Sequence, residues 1–308
     1  MSVELRQAAV DYLRDRRARG YVLADEDRLL AAFLDGLSAR SEATITVAAS
    51  VAFATERPDT TRGWQARRLR AIRGLAAHVH GLDPAAAELI PAGLIPSGTP
   101  RRIPYLYSAE QIAELMSRAL SLTPAMLGAS MHTLIGLLAS TGIRSGEAAA
   151  LDIENLDAER QMLVVTGKNQ RVRLVALHPT TVQALADYQK VRGTRAPASG
   201  ALLIGPKGSR LNLNTARAAF RTLVEDCKLP VGPGRRAPRL HDMRHSFAVN
   251  TLIDAHRDGA DVDARIATLA NYLGHVDPSH TYWYLTASPQ LMQTVRERLA
   301  AHQQEHAR

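Results

Sequence analysis

The 308-residue sequence has a single cysteine, Cys227, and few aromatic residues, which make up 5% of the chain. One cysteine cannot form an internal disulfide, and a zinc site would need other ligands. We expect Cys227 to be a buried, inert thiol. No run of about 18 uncharged apolar residues occurs, which argues against a membrane-spanning helix. The first residues are charged from Glu4 onward and lack the apolar core of a secretory signal, so we expect a cytoplasmic protein with no membrane partner.

Acidic residues are the minority among the charged ones. Lys and Arg total 38 and Asp and Glu total 30, which gives a formal net charge of +8. Arginine greatly outnumbers lysine, and its forked guanidinium suits contacts to phosphate. Hydrophobic residues form 46% of the chain, enough for a sizeable core and too many for wholesale disorder. A basic globular protein of this kind favours polyanionic partners, chiefly nucleic acid.

Two stretches, 61–73 and 228–241, are rich in Lys and Arg and contain no acidic residue. We interpret them as DNA-contacting surfaces, although a run of charge is also typical of a solvated helix face. These two stretches, a pair of arginines at 101–102 and two arginines after the hairpin turn supply the candidate DNA contacts. They are Arg62, Arg67, Arg68, Arg70, Arg101, Arg102, Arg171, Arg173, Arg235, Arg236 and Arg239.

The hydrophobic periodicity predicts a helical N-terminal domain. Residues 1–90 hold four stretches with helical spacing: 3–17, 25–37, 43–55 and 61–79. Gly81 should end the fourth helix. Five prolines between residues 83 and 104 disfavour a long helix or a central strand, and we expect a linker at 91–104.

The second predicted domain, 105–308, is mainly helical with one small β element. Ser108 and Gln111 form a capping-box start, and a buried helix is expected over 131–139. Two β-rich runs around a polar turn at 166–170 predict a hairpin. Helical spacing then returns at 180–191, 212–226, 242–256, 262–273 and 289–302. The predicted class is α+β, mainly α with a small β-hairpin or sheet.

Two segments present single basic side chains in settings suited to chemistry. Gly142 should end a helix and Arg144 should open the next, with Glu147 in its first turn to cap or support the arginine. Lys168 lies in the hairpin turn, where it could donate a proton to a ligand. Taken alone, each segment is better explained without a function: Arg144 as a surface arginine between two helices, and Lys168 as a solvated turn lysine.

Two further segments supply histidines. His241 and Arg244 are three residues apart at a helix start, so they face the same way and could bind phosphate. His241 and His245 have the spacing of a helical zinc pair, but no third ligand stands out, so we expect no metal. Gly274 should end a helix and present His275.

Together these residues resemble the motif of the tyrosine recombinase (phage integrase) family. That motif runs Arg, turn Lys, His-x-x-Arg, Leu-Gly-His and a Tyr nine residues later. Its counterparts in this sequence are Arg144, Lys168, His241, Arg244, His275 and Tyr284. The resemblance covers about residues 105–290. The long stretch between the second arginine and the last histidine resembles the transposon-encoded branch.

The resemblance implies a catalytic role for each motif residue and no metal or other cofactor. Tyr284 would attack the scissile phosphate to form a 3′-phosphotyrosyl bond, and Tyr282 is the rival nucleophile. Lys168 would protonate the leaving 5′-oxygen, and His241 would be the general base. The two arginines would clamp the phosphate, and His275 would bond a non-bridging oxygen.

The resemblance also implies an architecture and partners. An N-terminal core-binding domain (1–90) and a catalytic domain (105–308) would close on double-stranded DNA as a C-shaped clamp. The protein would form a homotetramer on DNA, with sister recombinases or a directionality factor as further candidates, at the bacterial nucleoid. Three alternatives stay open: a type IB topoisomerase or telomere resolvase, a DNA-binding regulator without catalysis, and, least favoured, a zinc hydrolase.

Overall fold

The computed structural model describes residues 4–21, 23–96, 104–167, 170–193, 200–231 and 237–274. The chain divides into two compact units, Met1–Arg101 and Arg102–Arg308. Helices dominate both units, and the described residues hold one three-stranded antiparallel sheet. This confirms the predicted fold class, mainly α with a small β-sheet.

The described residues of the first unit form four helices, as expected: α1 (Leu5–Ala18), α2 (Ala24–Ala39), α3 (Val47–Thr55) and α4 (Arg62–Leu82). Phe33 and Ile72 lie at its fully buried centre. The expected end of α4 at Gly81 is wrong by one residue, because the N–H of Asp83 still bonds the Val79 carbonyl. The chain after α4 adds to this core, since Ile90 is buried in it.

The second unit begins with two packed helices, α5 (Ala109–Ala119) and α6 (Ala125–Thr141). The Ser108–Gln111 capping box is present as predicted, with both reciprocal hydrogen bonds formed. Helix α6 is longer than expected because it starts directly after Pro124, a residue that suits a helix start. It lies in the main core of this unit, where most of its side chains are buried.

The sheet has the order β1 (Leu156–Asp157), β2 (Met162–Thr166) and β3 (Val172–Ala176). The predicted hairpin is confirmed, with Thr166 opposite Val172; the two-residue β1 was not predicted. On β3, Arg173 and Val175 share the inner face, while Val172 and Leu174 are exposed.

The described residues of the second unit hold five more helices, one before the sheet and four after it: α7 (Ser145–Ala150), α8 (Pro179–Gly193), α9 (Leu213–Asp226), α10 (Asp242–Arg257) and α11 (Val262–Leu273). Cys227 directly follows α9 and is only partly buried, so the expected full burial is wrong. The predicted helix at 289–302 lies outside the described residues. Within the described ranges, no helix is long and apolar enough to cross a membrane.

Candidate active site

Arg144 stands at the turn between α6 and α7. Gly142 ends α6 in a left-handed conformation (φ 62°), which a glycine adopts without strain, and the chain then turns into α7. Arg144 is the N-cap residue of α7, and its backbone N–H donates to Oε2 of Glu147 at 2.9 Å. Its guanidinium donates to Oε1 of the same carboxylate at 2.7 Å. The helix start therefore fixes both the backbone and the side chain of this arginine, as the sequence predicted.

Glu147 is a buried carboxylate held by two arginines. Arg173 reaches it from β3, with Nη2 at 2.7 Å from Oε2 and Nη1 at 3.2 Å from Oε1. Burial alone would raise the pKa of Glu147, but the hydrogen bonds from Arg173 and Arg144 outweigh it and lower the pKa to about 2. Glu147 is thus ionised at neutral pH.

Arg244 joins three segments of the chain. It lies in the first turn of α10 and is buried. Its Nη1 donates to the carbonyl of Gly142 at 2.9 Å, and its Nη2 donates to the carbonyl of Leu273 at 2.8 Å. These carbonyls lie at the C-terminal ends of α6 and α11. Arg244, the second arginine of the motif, therefore links the ends of both helices to the start of α10.

His241 precedes α10 on the same side as Arg244. The buried carboxylate of Asp242 fixes this helix start by accepting hydrogen bonds from the backbone N–H of Arg239 at 2.9 Å and from its Nη2 at 2.8 Å. The surrounding protein excludes water from part of the His241 ring, and this desolvation lowers its pKa, as do the charges of Arg244 and Arg144. The neutral imidazole, which can accept a proton, is thereby favoured at neutral pH.

The described residues thus bring Arg144, His241 and Arg244 into one electrostatically connected site. The other three motif residues, Lys168, His275 and Tyr284, lie outside the described residues, and their roles stay predictions. Among the described residues, no group of three or more His, Cys, Asp or Glu side chains could hold a metal ion.

The arginines that were predicted to contact DNA lie in different environments. Arg68 is buried in the first unit, with its guanidinium 4.0 Å from the Phe53 ring centre and 3.2 Å from Glu56. This placement does not suit a phosphate contact, because Arg68 is on the face of α4 that packs into the core. Arg67 is partly exposed and pairs with Asp25 at 2.7 Å.

The other arginines that were predicted to contact DNA also differ in exposure. Arg173 is enclosed by Glu147 and is only 14% exposed, so the predicted DNA contact does not suit it either. Sequence reasoning missed its pairing with Glu147, because Val172 and Leu174 make the opposite face of β3 the more hydrophobic one in the sequence. Arg239 is half exposed and pairs with Asp242. Arg62, Arg70 and Arg171 are exposed, whereas four candidates lie outside the described residues: Arg101, Arg102, Arg235 and Arg236.

Comparisons with known proteins identify the family of the chain. The family model described as "Phage integrase family" matches residues 106–290. The chain is 34% identical over 303 residues to "Putative integrase/recombinase y4rB" of Sinorhizobium fredii, with 96% of each chain covered. It is also 30% identical over 227 residues to "Tyrosine recombinase XerD" of Mycobacterium tuberculosis, covering 71% of this chain and 68% of that protein.

Solved structures show the same fold. The Tn1549 transposon integrase in complex with transposon right end DNA superposes with a TM-score of 0.63 at 16% identity, over 95% of this chain and 99% of that one. The matched relatives do not favour a regulator without catalysis. The ordered motif, the site at the helix ends and the extent of the matches together show that the chain belongs to the phage integrase family of tyrosine recombinases and is a site-specific recombinase.

Proposed function

We propose that this recombinase cleaves and rejoins double-stranded DNA through a 3′-phosphotyrosyl bond to Tyr284. The observation that carries the proposal is that Arg144 and Arg244 donate hydrogen bonds to adjacent carbonyls at the end of α11, those of Gly274 and Leu273, near a histidine whose pKa is lowered. Two fixed guanidiniums suit the charge that builds up on the non-bridging oxygens of a phosphate under attack.

The reaction needs two proton transfers. A tyrosine hydroxyl, with an ordinary pKa of about 10, must lose its proton as its oxygen bonds phosphorus. We assign His241 as the base that takes this proton, because its neutral form is favoured. The bond from phosphorus to the 5′-oxygen breaks, and Lys168 supplies the proton that this oxygen requires. His275 bonds a non-bridging oxygen. The covalent ester conserves the phosphodiester energy, so rejoining needs no ATP.

The assembly on DNA belongs to the same proposal. We assign residues 1–90 as a core-binding domain, 91–104 as a linker and 105–308 as the catalytic domain, closing on the duplex as a C-shaped clamp. Exchange of two duplexes cuts four strands, and one tyrosine for each strand makes a homotetramer. The likeness to a transposon integrase supports integration, excision or transposition of a mobile element at the bacterial nucleoid.

The exposed arginines of the candidate set would hold the DNA backbone. Arg62 and Arg70 on α4 and Arg171 at the hairpin turn are exposed, as a phosphate contact requires. Contacts of this type contribute affinity on every sequence and make binding weaken steeply with salt.

The experiment uses nicked duplexes tiled over the DNA that flanks the coding sequence. The nick lets the cleaved end diffuse away, which traps the covalent complex. Wild type is incubated with each duplex in EDTA, and protein–DNA adducts are separated on a denaturing gel. An adduct with wild type and none with Tyr284→Phe is the expected result.

Tyr282→Phe is the matched control, because it removes the same hydroxyl two residues away. It should form the adduct at the wild-type level. An adduct that persists in Tyr284→Phe and disappears in Tyr282→Phe would refute the choice of nucleophile, and an adduct that disappears in EDTA would refute metal-free chemistry.

A further inference from the structure

Two guanidiniums share one carboxylate in the candidate active site. Glu147 accepts hydrogen bonds from Arg144 at 2.7 Å and from Arg173 at 2.7 and 3.2 Å. Two positive charges and one negative charge leave this group of three with a net positive charge. Without Arg173, the same site would hold a neutral ion pair between Arg144 and Glu147.

The three side chains are ordered from the surface inward. Arg144 is 37% exposed, Arg173 is 14% exposed and Glu147 is 7% exposed. Arg144 can therefore meet a ligand, whereas Arg173 is mostly enclosed and would act on a ligand through Glu147. Charges that are shielded from water interact more strongly, so the balance within this group bears directly on how Arg144 attracts a phosphate.

Arg173 also fills the space between two segments that lead to other predicted catalytic residues. Its Nε donates to the carbonyl of Tyr272 at 3.0 Å. A methyl group on Gly167 would lie 3.4 Å from its Nη1, and one on Gly274 would lie 3.3 Å from its Cδ. Each of these glycines directly precedes a residue of the predicted catalytic set. The side chain thus contacts the hairpin, the start of α7 through Glu147, and the end of α11.

We propose that Arg173 is a positioning residue for DNA cleavage, which neutralises Glu147 and so leaves the positive charge of Arg144 available to the scissile phosphate. The proposal rests on the proposed function, in which Arg144 binds that phosphate. It differs from a direct DNA contact by Arg173, because the partner of Arg173 is a carboxylate of the protein.

The test measures single-turnover cleavage of the nicked duplex that gives a wild-type adduct, with enzyme in saturating excess. Arg173→Ala should lower the cleavage rate by roughly a hundredfold, the scale seen when one stabilising donor is removed. Its affinity for the duplex should change little. Adding Glu147→Gln to Arg173→Ala should recover most of the rate, since a neutral amide no longer cancels the charge of Arg144. Arg173→Lys, which keeps the charge, should fall between the wild type and Arg173→Ala.

A second substrate separates charge from packing. A methylphosphonate at the scissile position removes the negative charge on which Arg144 acts. The ratio of the wild-type rate to the Arg173→Ala rate should therefore be much smaller on this substrate. Thermal melting of each variant, with cleavage measured well below the melting temperature, keeps loss of fold apart from loss of rate.

Arg160→Ala is the matched control, because it removes an exposed arginine that pairs with Asp157 at 3.1 Å. Its cleavage rate should equal that of the wild type. A wild-type rate in Arg173→Ala would overturn this inference alone, as would a double variant no faster than Arg173→Ala. No adduct from the wild type on any duplex would overturn the proposed function and this inference with it.

Discussion

Replacing Glu147 with glutamine should destabilise the second unit in a way that depends on pH. The glutamine keeps an oxygen to cap α7 but removes the charge that Arg144 and Arg173 share. The folded-state pKa of about 2, against an ordinary value of 4.5, corresponds to about 3 kcal/mol of stability at neutral pH. Because the pKa is lower in the folded state, this stability is complete above about pH 5 and is lost as the pH falls toward about 2.

Differential scanning calorimetry of wild type and Glu147→Gln between pH 7 and pH 3 would test this reasoning. At pH 7 the transition of the second unit should shift down by roughly 6–12 °C, and the difference should shrink steadily toward pH 3. Glu154→Gln, at an exposed glutamate, should leave the transition almost unchanged. A shift that is equally large at pH 7 and pH 3 would refute the assignment of the stability to an ionised Glu147.

Two further predictions concern the helix ends of the site. Desolvation and the charge of Arg244 lower the pKa of His241. As the pH is lowered, the cleavage rate should therefore stay constant past the ordinary histidine pKa of about 6.5 and fall only at lower pH. A pH–rate profile with its midpoint above about pH 6.5 would contradict this. Gly142→Ala should lower the free energy of unfolding by at least about 2 kcal/mol, because φ is positive there and the added methyl would press on Phe247 and Leu273; urea unfolding checks this, and a smaller loss would count against it.

Local signals in the sequence predicted the elements of the fold well. The Ser108 capping box, the break at Gly142 and the Arg144 helix start each depend on residues within four positions of one another, and each is present in the structure. The helix end at Gly81 was predicted one residue early, because a glycine near a helix end does not fix which carbonyl is bonded last.

Burial of charge could not be predicted in the same way. Arg68 lies in a run of arginines that would look the same on a solvated face, and its position depends on how α4 packs against α3. Arg173 and its partner are 26 residues apart in the chain. Hydrophobicity favours the other face of β3, with Val172 and Leu174 inward, whereas the observed face buries Val175 and pairs Arg173 with Glu147.

The pairing of Arg173 with Glu147 has a consequence for how these recombinases vary. A buried carboxylate and the guanidinium that cancels it depend on each other, so loss of either residue alone should destabilise the fold, and loss of Arg173 alone should also slow cleavage. Chains that replace Glu147 with a neutral residue should therefore have replaced Arg173 as well, while Arg144 stays unchanged. Members of the family would then keep both residues or lack both, and positions 147 and 173 would vary together.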